Sequence, residues 1–177
     1  MAGKKIIIAV SGGVAAFKAA ALVSQLAQQE HCVKVVMTDS AQAFVGKATF
    51  AALTGNPVAS KIFDSRFPLG AHIELARSAD LLCVAPATAN FMAKAATGIS
   101  DDLLSTLYLC FTGPVLVAPA MNCEMWDKPA VQRNYQQLAA DGVQFIDPQE
   151  GWLSCRTRGI GRMASPESIA DAINDRL

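Results

Sequence analysis

The sequence lacks a surplus of charge of either sign, and this absence excludes whole classes of partner. Its 15 basic and 15 acidic residues give a formal net charge of zero. Nucleic acids and anionic membranes attract proteins through an excess of positive charge, so we predict neither as a partner. Charged residues make up only 17% of the chain, against 52% hydrophobic residues. A composition this apolar predicts a deeply buried sheet together with surface that is hidden between subunits.

Targeting and membrane segments are also lacking. Strand-like sequence begins at Lys5, which leaves no room for a signal peptide, and no apolar run is long enough to cross a bilayer. We therefore expect a cytoplasmic protein. The five cysteines are odd in number and lack the paired short spacings of zinc sites, so we predict reduced thiols and no metal. Cys32, Cys83 and Cys110 lie in apolar patterns, which favours small core residues.

What the sequence does contain is a series of short apolar runs that alternate with helical patterns. The predicted strands are residues 5–10, 33–37, 81–85, 115–118 and 143–146. A helical pattern covers residues 14–29, and Ser165-Pro166-Glu167 is typical of the start of a last helix that ends near Asp175. This alternation predicts an α/β fold, a doubly wound parallel sheet in three layers that is flavodoxin-like or Rossmann-like. At 177 residues, we expect one domain over 1–177.

Ligands of such sheets bind beyond the carboxyl ends of the strands. Residues 11–13, Ser-Gly-Gly, follow the first strand and precede a helix, so their backbone amides can cradle a phosphate. The full dinucleotide fingerprint and the triphosphate-binding loop are both missing, which favours a mononucleotide or another single phosphate. Residues 38–40, Thr-Asp-Ser, end the second strand at the same edge. They fit that pocket, and they fit equally well a capped helix that begins at Ser40.

Two further strand ends have unusual composition. Residues 86–90 combine small and amide side chains, which suit either a planar ring close to the backbone or an ordinary tight turn. Residues 119–126, Pro-Ala-Met-Asn-Cys-Glu-Met-Trp, place an amide, two thioethers and an indole in one loop. We expect Asn122 to project into the crevice. The methionines and Trp126 are also common gap-fillers at a core edge, and that alternative stays open.

Two side chains are candidates for acid–base chemistry. His72 follows a break at Pro68, and an imidazole there can act as a base or hold a carboxylate as a cation, or can be purely structural. Cys155 lies in segment 147–164, which has no periodicity and predicts a flap over the site. The arginines that flank Cys155 favour its thiolate. Alternatively, they face solvent or another subunit and Cys155 only packs.

In combination, these segments resemble one family, the homo-oligomeric flavin-containing cysteine decarboxylases. The motifs that carry the resemblance are Ser11-Gly12-Gly13-Val14-Ala15-Ala16, Gly70-Ala71-His72-Ile73, Ala85-Pro86-Ala87-Thr88-Ala89-Asn90 and Pro119-Ala120-Met121-Asn122-Cys123-Glu124-Met125-Trp126. A cysteine followed by Gly159-Ile160-Gly161-Arg162-Met163 is most similar to the phosphopantothenoylcysteine decarboxylases of coenzyme A biosynthesis. Where many members have Cys-Gly-Asp in the flap, this chain has Cys155-Arg156-Thr157.

The resemblance implies bound FMN and a homo-oligomer, which is either a trimer or a dodecamer that is built from trimers. The implied FMN-binding residues are Ser11, Gly12, Gly13, Val14, Thr38, Asp39, Ser40, Thr88, Ala89, Asn90 and Ala120. In this family the flavin oxidises the cysteine of the substrate to a thioaldehyde, carbon dioxide leaves, and the reduced flavin returns the electrons. The resemblance makes His72 the base, Asn122 the amide that holds the substrate carboxylate, and Cys155 the proton donor. Met125, Arg156 and Arg158 complete the implied substrate contacts.

Two other functions remain open. A peptidyl-cysteine decarboxylase of the same family would act on the C-terminal cysteine of a peptide, but such relatives usually lack the flap cysteine with Gly-x-Gly-Arg-Met. A regulatory relative would bind partner proteins without catalysis, whereas retention of His72, Asn122 and Cys155 favours an enzyme. The chain is expected to be either a free-standing enzyme or the amino-terminal domain of a bifunctional protein.

Overall fold

The computed structural model describes residues 3–177 and contains a five-stranded parallel sheet. Its strands are β1 Lys5–Val10, β2 Cys32–Met37, β3 Leu81–Ala87, β4 Val115–Pro119 and β5 Gln144–Phe145. They lie in the order β2-β1-β3-β4-β5. This is the flavodoxin-like order, in which the direction of winding reverses between β1 and β3 and leaves a crevice at their carboxyl ends.

Eight α-helices surround the sheet within the described residues. They are α1 Ala16–Gln28, α2 Lys47–Thr54, α3 Ala71–Arg77, α4 Ala89–Thr97, α5 Leu103–Cys110, α6 Cys123–Trp126, α7 Pro129–Ala140 and α8 Pro166–Arg176. Helices α1, α2 and α8 bury side chains against one face of the sheet, and α3, α4, α5 and α7 against the other. The predicted three-layer α/β fold is thus confirmed. In residues 3–177, none of the helices has the length and apolarity that crossing a membrane requires.

The three central strands are apolar apart from Lys5 at the start of β1, because both faces of the sheet are covered. In β1, Ile6 and Ile8 pack into the cluster with α1 and α8, whereas Ile7 and Ala9 pack into the cluster with α4 and α5. All four side chains are at most 1% exposed. Burying one such isoleucine contributes about 1.5–3 kcal/mol relative to leaving it in water.

The helix boundaries follow the predicted signals with one informative shift. In α8, the Ser165 Oγ accepts a hydrogen bond from the Ser168 amide at 3.1 Å, which confirms the predicted cap. Helix α1 begins two residues later than its apolar pattern, at Ala16, because the chain first makes a turn in which the Ala16 amide donates to the Gly13 carbonyl at 2.9 Å. No side chain caps this end of α1.

The flap segment is an antiparallel hairpin of β6 Gln149–Trp152 and β7 Arg158–Arg162. Neither strand was predicted, because most side chains on both strands are exposed or half-buried and apolar residues do not alternate with polar ones. The buried side chains of Leu153 and Met163 attach the hairpin to the rest of the protein.

The expectation that three cysteines are core residues is wrong for one of them. Cys83 in β3 is buried, and burial raises its pKa to about 12. Cys110 at the end of α5 is only half-buried. Cys32 is exposed, because it is the first residue of β2, which is an edge strand of the sheet.

Candidate functional site

The turn after β1 is tied to the end of β3 by the side chain of Ser11. Its buried hydroxyl donates to the Pro86 carbonyl at 2.7 Å and accepts from the Thr88 amide at 2.9 Å. The Ser11 amide also donates to the Pro86 carbonyl, at 3.2 Å. Because the single O–H donor of this hydroxyl is used within the protein, Ser11 positions the turn and has no hydroxyl proton to donate to a phosphate.

Gly12 lies where a side chain would collide with Ser40. A Cβ atom built on Gly12 would lie 2.3 Å from the Ser40 Oγ and 2.5 Å from its Cβ. Within residues 3–177, the amides of Gly12, Gly13 and Val14 donate no backbone–backbone hydrogen bond. Free amides before a helix end that no side chain caps are the groups that can bind an anion.

The segment after β2 lines the first cavity beside this turn and also begins a short helix at Ser40, as one of the two interpretations predicted. The Thr38 Oγ1 accepts from the Ala41 amide at 3.2 Å and so caps the 3₁₀ helix Ser40–Ala43. The hydroxyls of Thr38 and Ser40 lie 3.1 Å apart. Asp39 pairs with Lys61 at 2.8 Å, and hydrogen bonding to Lys61 lowers the pKa of this exposed carboxyl.

The loop after β4 is held by backbone contacts on both sides. The Ala120 amide donates to the Ala87 carbonyl at 3.0 Å, and the Met121 amide donates to the Gly161 carbonyl at 3.0 Å. Gly161 has a φ of 150°, and a Cβ there would lie 2.3 Å from the Met121 oxygen. The glycine in the Gly-x-Gly-Arg-Met string therefore lets β7 lie directly against this loop.

The amide of Asn122 has a fixed orientation. As the N-cap of α6, its Oδ1 accepts from the Met125 amide at 2.8 Å, and its Nδ2 donates to the Glu124 carboxylate. An asparagine amide carries two N–H donors, so one of them remains available to a ligand. Asn122 is half-buried, and its position beside a cavity agrees with the predicted crevice.

The methionines and the tryptophan of this loop have different surroundings. Trp126 packs edge-on against Tyr135, with ring centroids 5.5 Å apart, and Tyr135 stacks on Phe145 at 4.1 Å. Met121 and Met125 face a cavity instead. The gap-filling interpretation therefore holds for Trp126 and also for Met121, which packs against the same core cluster, whereas both methionines line the cavity.

Two adjoining cavities open at the carboxyl ends of the strands and share Gly12 and Thr88 as wall residues. The first, of about 440 Å³, has mixed walls that include the polar side chains of Lys61 and Asn90. The second, of about 460 Å³, is more apolar and lies between the turn after β1, the loop after β4 and the hairpin. All the residues predicted to bind FMN line one cavity or the other. They are Ser11, Gly12, Gly13, Val14, Thr38, Asp39, Ser40, Thr88, Ala89, Asn90 and Ala120.

Four of the predicted site residues line neither cavity: His72, Cys155, Arg156 and Arg158. His72 is the second residue of α3. Its Nδ1 is buried and has no hydrogen-bond partner among residues 3–177. Arg158 pairs with Glu150 across the hairpin at 3.3 Å. Within a single chain, the structure therefore does not bring the predicted base together with Asn122.

The hairpin tip gives Cys155 a different electrostatic neighbour from the one expected. Cys155 is exposed, and its Sγ lies 3.0 Å from the Thr157 Oγ1. This hydrogen bond lowers the pKa of the Cys155 thiol, and the nearby Glu124 carboxylate opposes the effect. A lowered pKa agrees with the sequence prediction, but its cause is the threonine hydroxyl and not the arginines.

Two cations that line the second cavity were not assigned to the site from the sequence. Lys18 Nζ donates to the Met163 carbonyl at 2.9 Å, and burial together with the charge of Arg162 lowers the pKa of Lys18. Helical spacing was the available signal for Lys18, since it follows Val14 by one turn. The signal for Arg162 was its place in the Gly-x-Gly-Arg-Met motif. The motif alone does not say that its side chain lines the cavity, because this depends on the orientation of the hairpin.

The whole chain, residues 1–177, matches the family model described as Flavoprotein. The coenzyme A biosynthesis bifunctional protein CoaBC of Bacillus subtilis is 48% identical over 167 residues, which cover 94% of this chain and 41% of that protein. The chain thus spans about two fifths of the length of the curated relatives it matches.

Solved structures agree with this relationship. A cysteine-to-serine mutant of a PPC decarboxylase, complexed with pantothenoylaminoethenethiol, has a TM-score of 0.89 at 31% identity and 97% coverage of both chains. SpaF, described as an FMN-dependent cysteine decarboxylase, has a TM-score of 0.86 at 33% identity and covers 99% of this chain and 98% of its own. With a family model that matches over its entire length, this chain belongs to the Flavoprotein family.

Proposed function

We propose that this chain is an FMN-dependent decarboxylase that converts 4'-phosphopantothenoylcysteine to 4'-phosphopantetheine in the cytoplasmic synthesis of coenzyme A. The names of its relatives, CoaBC and PPC decarboxylase, support this assignment. The observation that carries it is the pair of adjoining cavities that meet at Gly12 and Thr88 and contain every predicted FMN-binding position. We take residues 1–177 as one flavoprotein domain.

The residues around Gly12 fit the phosphate of FMN. The amides of residues 12–14 donate no backbone–backbone hydrogen bond among the described residues, and Gly12 lines the first cavity together with Ser40, whose hydroxyl can donate to a phosphate. The small residues Ala89 and Ala120 in the wall of the second cavity leave room for a planar ring. When bound, FMN supplies the redox chemistry, taking two electrons from the substrate cysteine and returning them after carbon dioxide has left.

Asn122 holds the substrate carboxylate in this proposal. The hydrogen bonds to Met125 and Glu124 fix its amide plane, so that the remaining N–H points from a preorganised position. Preorganisation matters because the carboxylate must be held while its bond to carbon breaks. The thioether of Met125, which faces the same cavity, gives the substrate an apolar contact.

A second copy of the chain completes the site, because His72 lines neither cavity of its own chain. The unpaired, buried Nδ1 of His72 is consistent with a polar partner supplied from outside this chain. Several large apolar side chains are exposed, as an oligomer interface requires. They are Val14, Phe17, Phe44, Phe63, Leu69, Ile99, Leu109, Met125, Trp152 and Ile160. We propose a homotrimer, or a homododecamer that is built from trimers. In this assembly His72 is the base and Cys155 donates the proton.

The substrate phosphate has two candidate sets of cations. Arg156 and Arg158 stand on the exposed tip and edge of the hairpin, where they can meet a phosphate as the hairpin covers the substrate. Lys18 and Arg162 already line the second cavity, and the two like charges favour an anion between them. Lys18→Met and Arg158→Met compare the two sets. The set that contacts the phosphate is the one whose loss raises KM for the phosphorylated substrate much more than for its dephosphorylated form.

The decisive experiment incubates the FMN-loaded protein with 4'-phosphopantothenoylcysteine and follows the loss of carbon dioxide by mass. His72→Asn should lose turnover because a positioned acid or base contributes about 10²–10⁴-fold. Asn122→Ala should lose turnover because the substrate carboxylate is then no longer held in position. His31→Asn is the matched control, because His31 lies outside both cavities and bonds Asn174 instead. Turnover of peptides that end in cysteine, without turnover of the pantothenoyl substrate, would replace the proposal with a peptidyl-cysteine decarboxylase. Failure to bind FMN would favour the regulatory relative.

A further inference from the structure

Two cysteine side chains from different parts of the chain converge on one threonine. The Thr157 Oγ1 lies 3.0 Å from the Cys155 Sγ and 3.8 Å from the Cys123 Sγ. Cys123 is the first residue of α6, whereas Cys155 lies at the tip of the hairpin. The distance between the two sulfurs is therefore at most the sum of these two distances.

The backbone between them is already in close contact. A Cβ on Gly159 would lie 2.8 Å from the Cys123 Cβ and 3.0 Å from its Sγ, so β7 passes directly over Cys123. The Met121 amide anchors the same strand through the Gly161 carbonyl. Cys155 and Thr157 at the tip are exposed, so their side chains have room to rotate towards Cys123.

We propose that Cys123 and Cys155 form a reversible intramolecular disulfide when the protein meets hydrogen peroxide. Cys155, as its thiolate, attacks one peroxide oxygen and breaks the O–O bond, which gives a sulfenic acid and, after protonation, one water. The Cys123 thiol then attacks that sulfur and displaces a second water. Two thiols are oxidised and one peroxide is reduced to two waters. A dithiol reductant reverses the reaction by thiol–disulfide exchange.

Cys155 is the residue that reacts first. It is exposed, and its bond to Thr157 favours the thiolate, the form that attacks peroxides. Cys123 is half-buried beside β7 and is placed to resolve the sulfenic acid. The cross-link joins the hairpin tip to the loop that carries Asn122. If the proposed function holds, it also removes the proton donor and so stops turnover until reduction.

Alkylation and peptide mapping test the disulfide without any activity assay. When unfolded in denaturant before alkylation, the reduced protein should alkylate at all five cysteines, and after brief peroxide treatment of the folded protein Cys123 and Cys155 should lose alkylation together. Trypsin cleaves at Arg133 and chymotrypsin at Phe111, so the combined digest puts Cys110, Cys123 and Cys155 on separate peptides, and a linked pair of peptides then identifies the bond. Dithiothreitol should restore both thiols.

Three variants make the test specific. Cys123→Ser should leave no linked peptide and let Cys155 oxidise further to sulfinic acid, whereas Cys155→Ser should leave Cys123 reduced. Cys32→Ser, which removes the other exposed cysteine, should behave as the parent. Over-oxidation of Cys155 in the parent with Cys123 still alkylatable, or a disulfide between two chains, would overturn the proposal. Because these readouts require no substrate, they remain decisive even if the reduced protein shows no decarboxylase activity.

Discussion

Replacing Gly12 by alanine should destabilise the protein through a collision that no side-chain rotation relieves. The new methyl group would lie 2.3 Å from the Ser40 Oγ, 2.5 Å from its Cβ and 3.0 Å from its carbonyl carbon. The hydroxyl can rotate away, but the Cβ and the backbone carbon cannot. Overpacking of this kind costs about 1–3 kcal/mol. For a chain of this size, each kcal/mol lowers Tm by about 2–4 °C.

Urea unfolding of the ligand-free protein at one fixed concentration measures this effect separately from cofactor binding. Gly13→Ala is the matched control, because a Cβ there meets only the Thr88 Cγ2 at an ordinary 3.9 Å. We expect its free energy of unfolding to change by less than about 0.5 kcal/mol. Ser40→Gly added to Gly12→Ala should recover most of the loss, because it removes both side-chain atoms that the methyl group meets.

Equal losses for Gly12→Ala and Gly13→Ala would refute the reasoning, because the close approach of Ser40 would then have no special effect. A double variant no more stable than Gly12→Ala would also contradict it. Under the proposed function, Gly12→Ala should in addition abolish the FMN absorbance of the purified protein. The unfolding result stands independently of that outcome.

Three further predictions concern the hairpin and the first cavity. Arg156 has a φ of 64°, a left-handed conformation that costs a non-glycine residue about 1–2 kcal/mol. Arg156→Gly removes this cost and so stabilises the hairpin tip. It should therefore slow hydrogen exchange of the Leu153 amide, which donates to the Thr157 carbonyl across the tip. Unchanged exchange would show that this strain is absent. Thr157→Val should raise the pH at which iodoacetamide alkylates Cys155, because the hydroxyl that lowers this pKa is lost; an unmoved pH profile would contradict that cause. Burial raises the pKa of Asp102, but hydrogen bonds from Lys94 and the Ser105 amide outweigh it and lower the pKa overall. The stabilisation from this carboxylate is therefore present above its unfolded pKa of about 3.9 and is lost as the pH falls through the lower folded value. Asp102→Asn, which keeps a capping side chain, should destabilise the protein at neutral pH and progressively less towards about pH 3, as followed by urea unfolding; a constant difference would refute the assignment.

Much of the fold could be predicted because buried parallel strands carry a local signal. The runs at Lys5–Val10 and Val115–Pro119 are continuous and apolar, since helices cover both faces of the sheet. The hairpin strands Gln149–Trp152 and Arg158–Arg162 were not predicted, because among the described residues they pair only with each other and most of their side chains are exposed or half-buried. A half-buried strand is recognised by apolar residues at every second position, and a strand that is not buried lacks them.

The site was predictable to the extent that it uses strand ends. Residues 11–13, 38–40 and 88–90 all follow strands, and a parallel sheet brings such positions to one edge. Lys18 and Arg162 were missed because their meeting requires a helix near the start of the chain and a hairpin near its end to pack together. The effect of Thr157 on Cys155 was missed because it depends on the turn at the hairpin tip.

The sequence by itself determined the α/β layering, the glycine turn after β1 and the motif loop around Asn122, because these follow from local patterns of apolar residues, glycines and caps. Only the tertiary structure decided that the direction of winding reverses between β1 and β3, that two cavities meet at Gly12 and Thr88, and that His72 lines neither. These facts depend on contacts between residues far apart in the chain. Long-range packing, rather than local preference, also brings Cys123 and Cys155 to the same threonine.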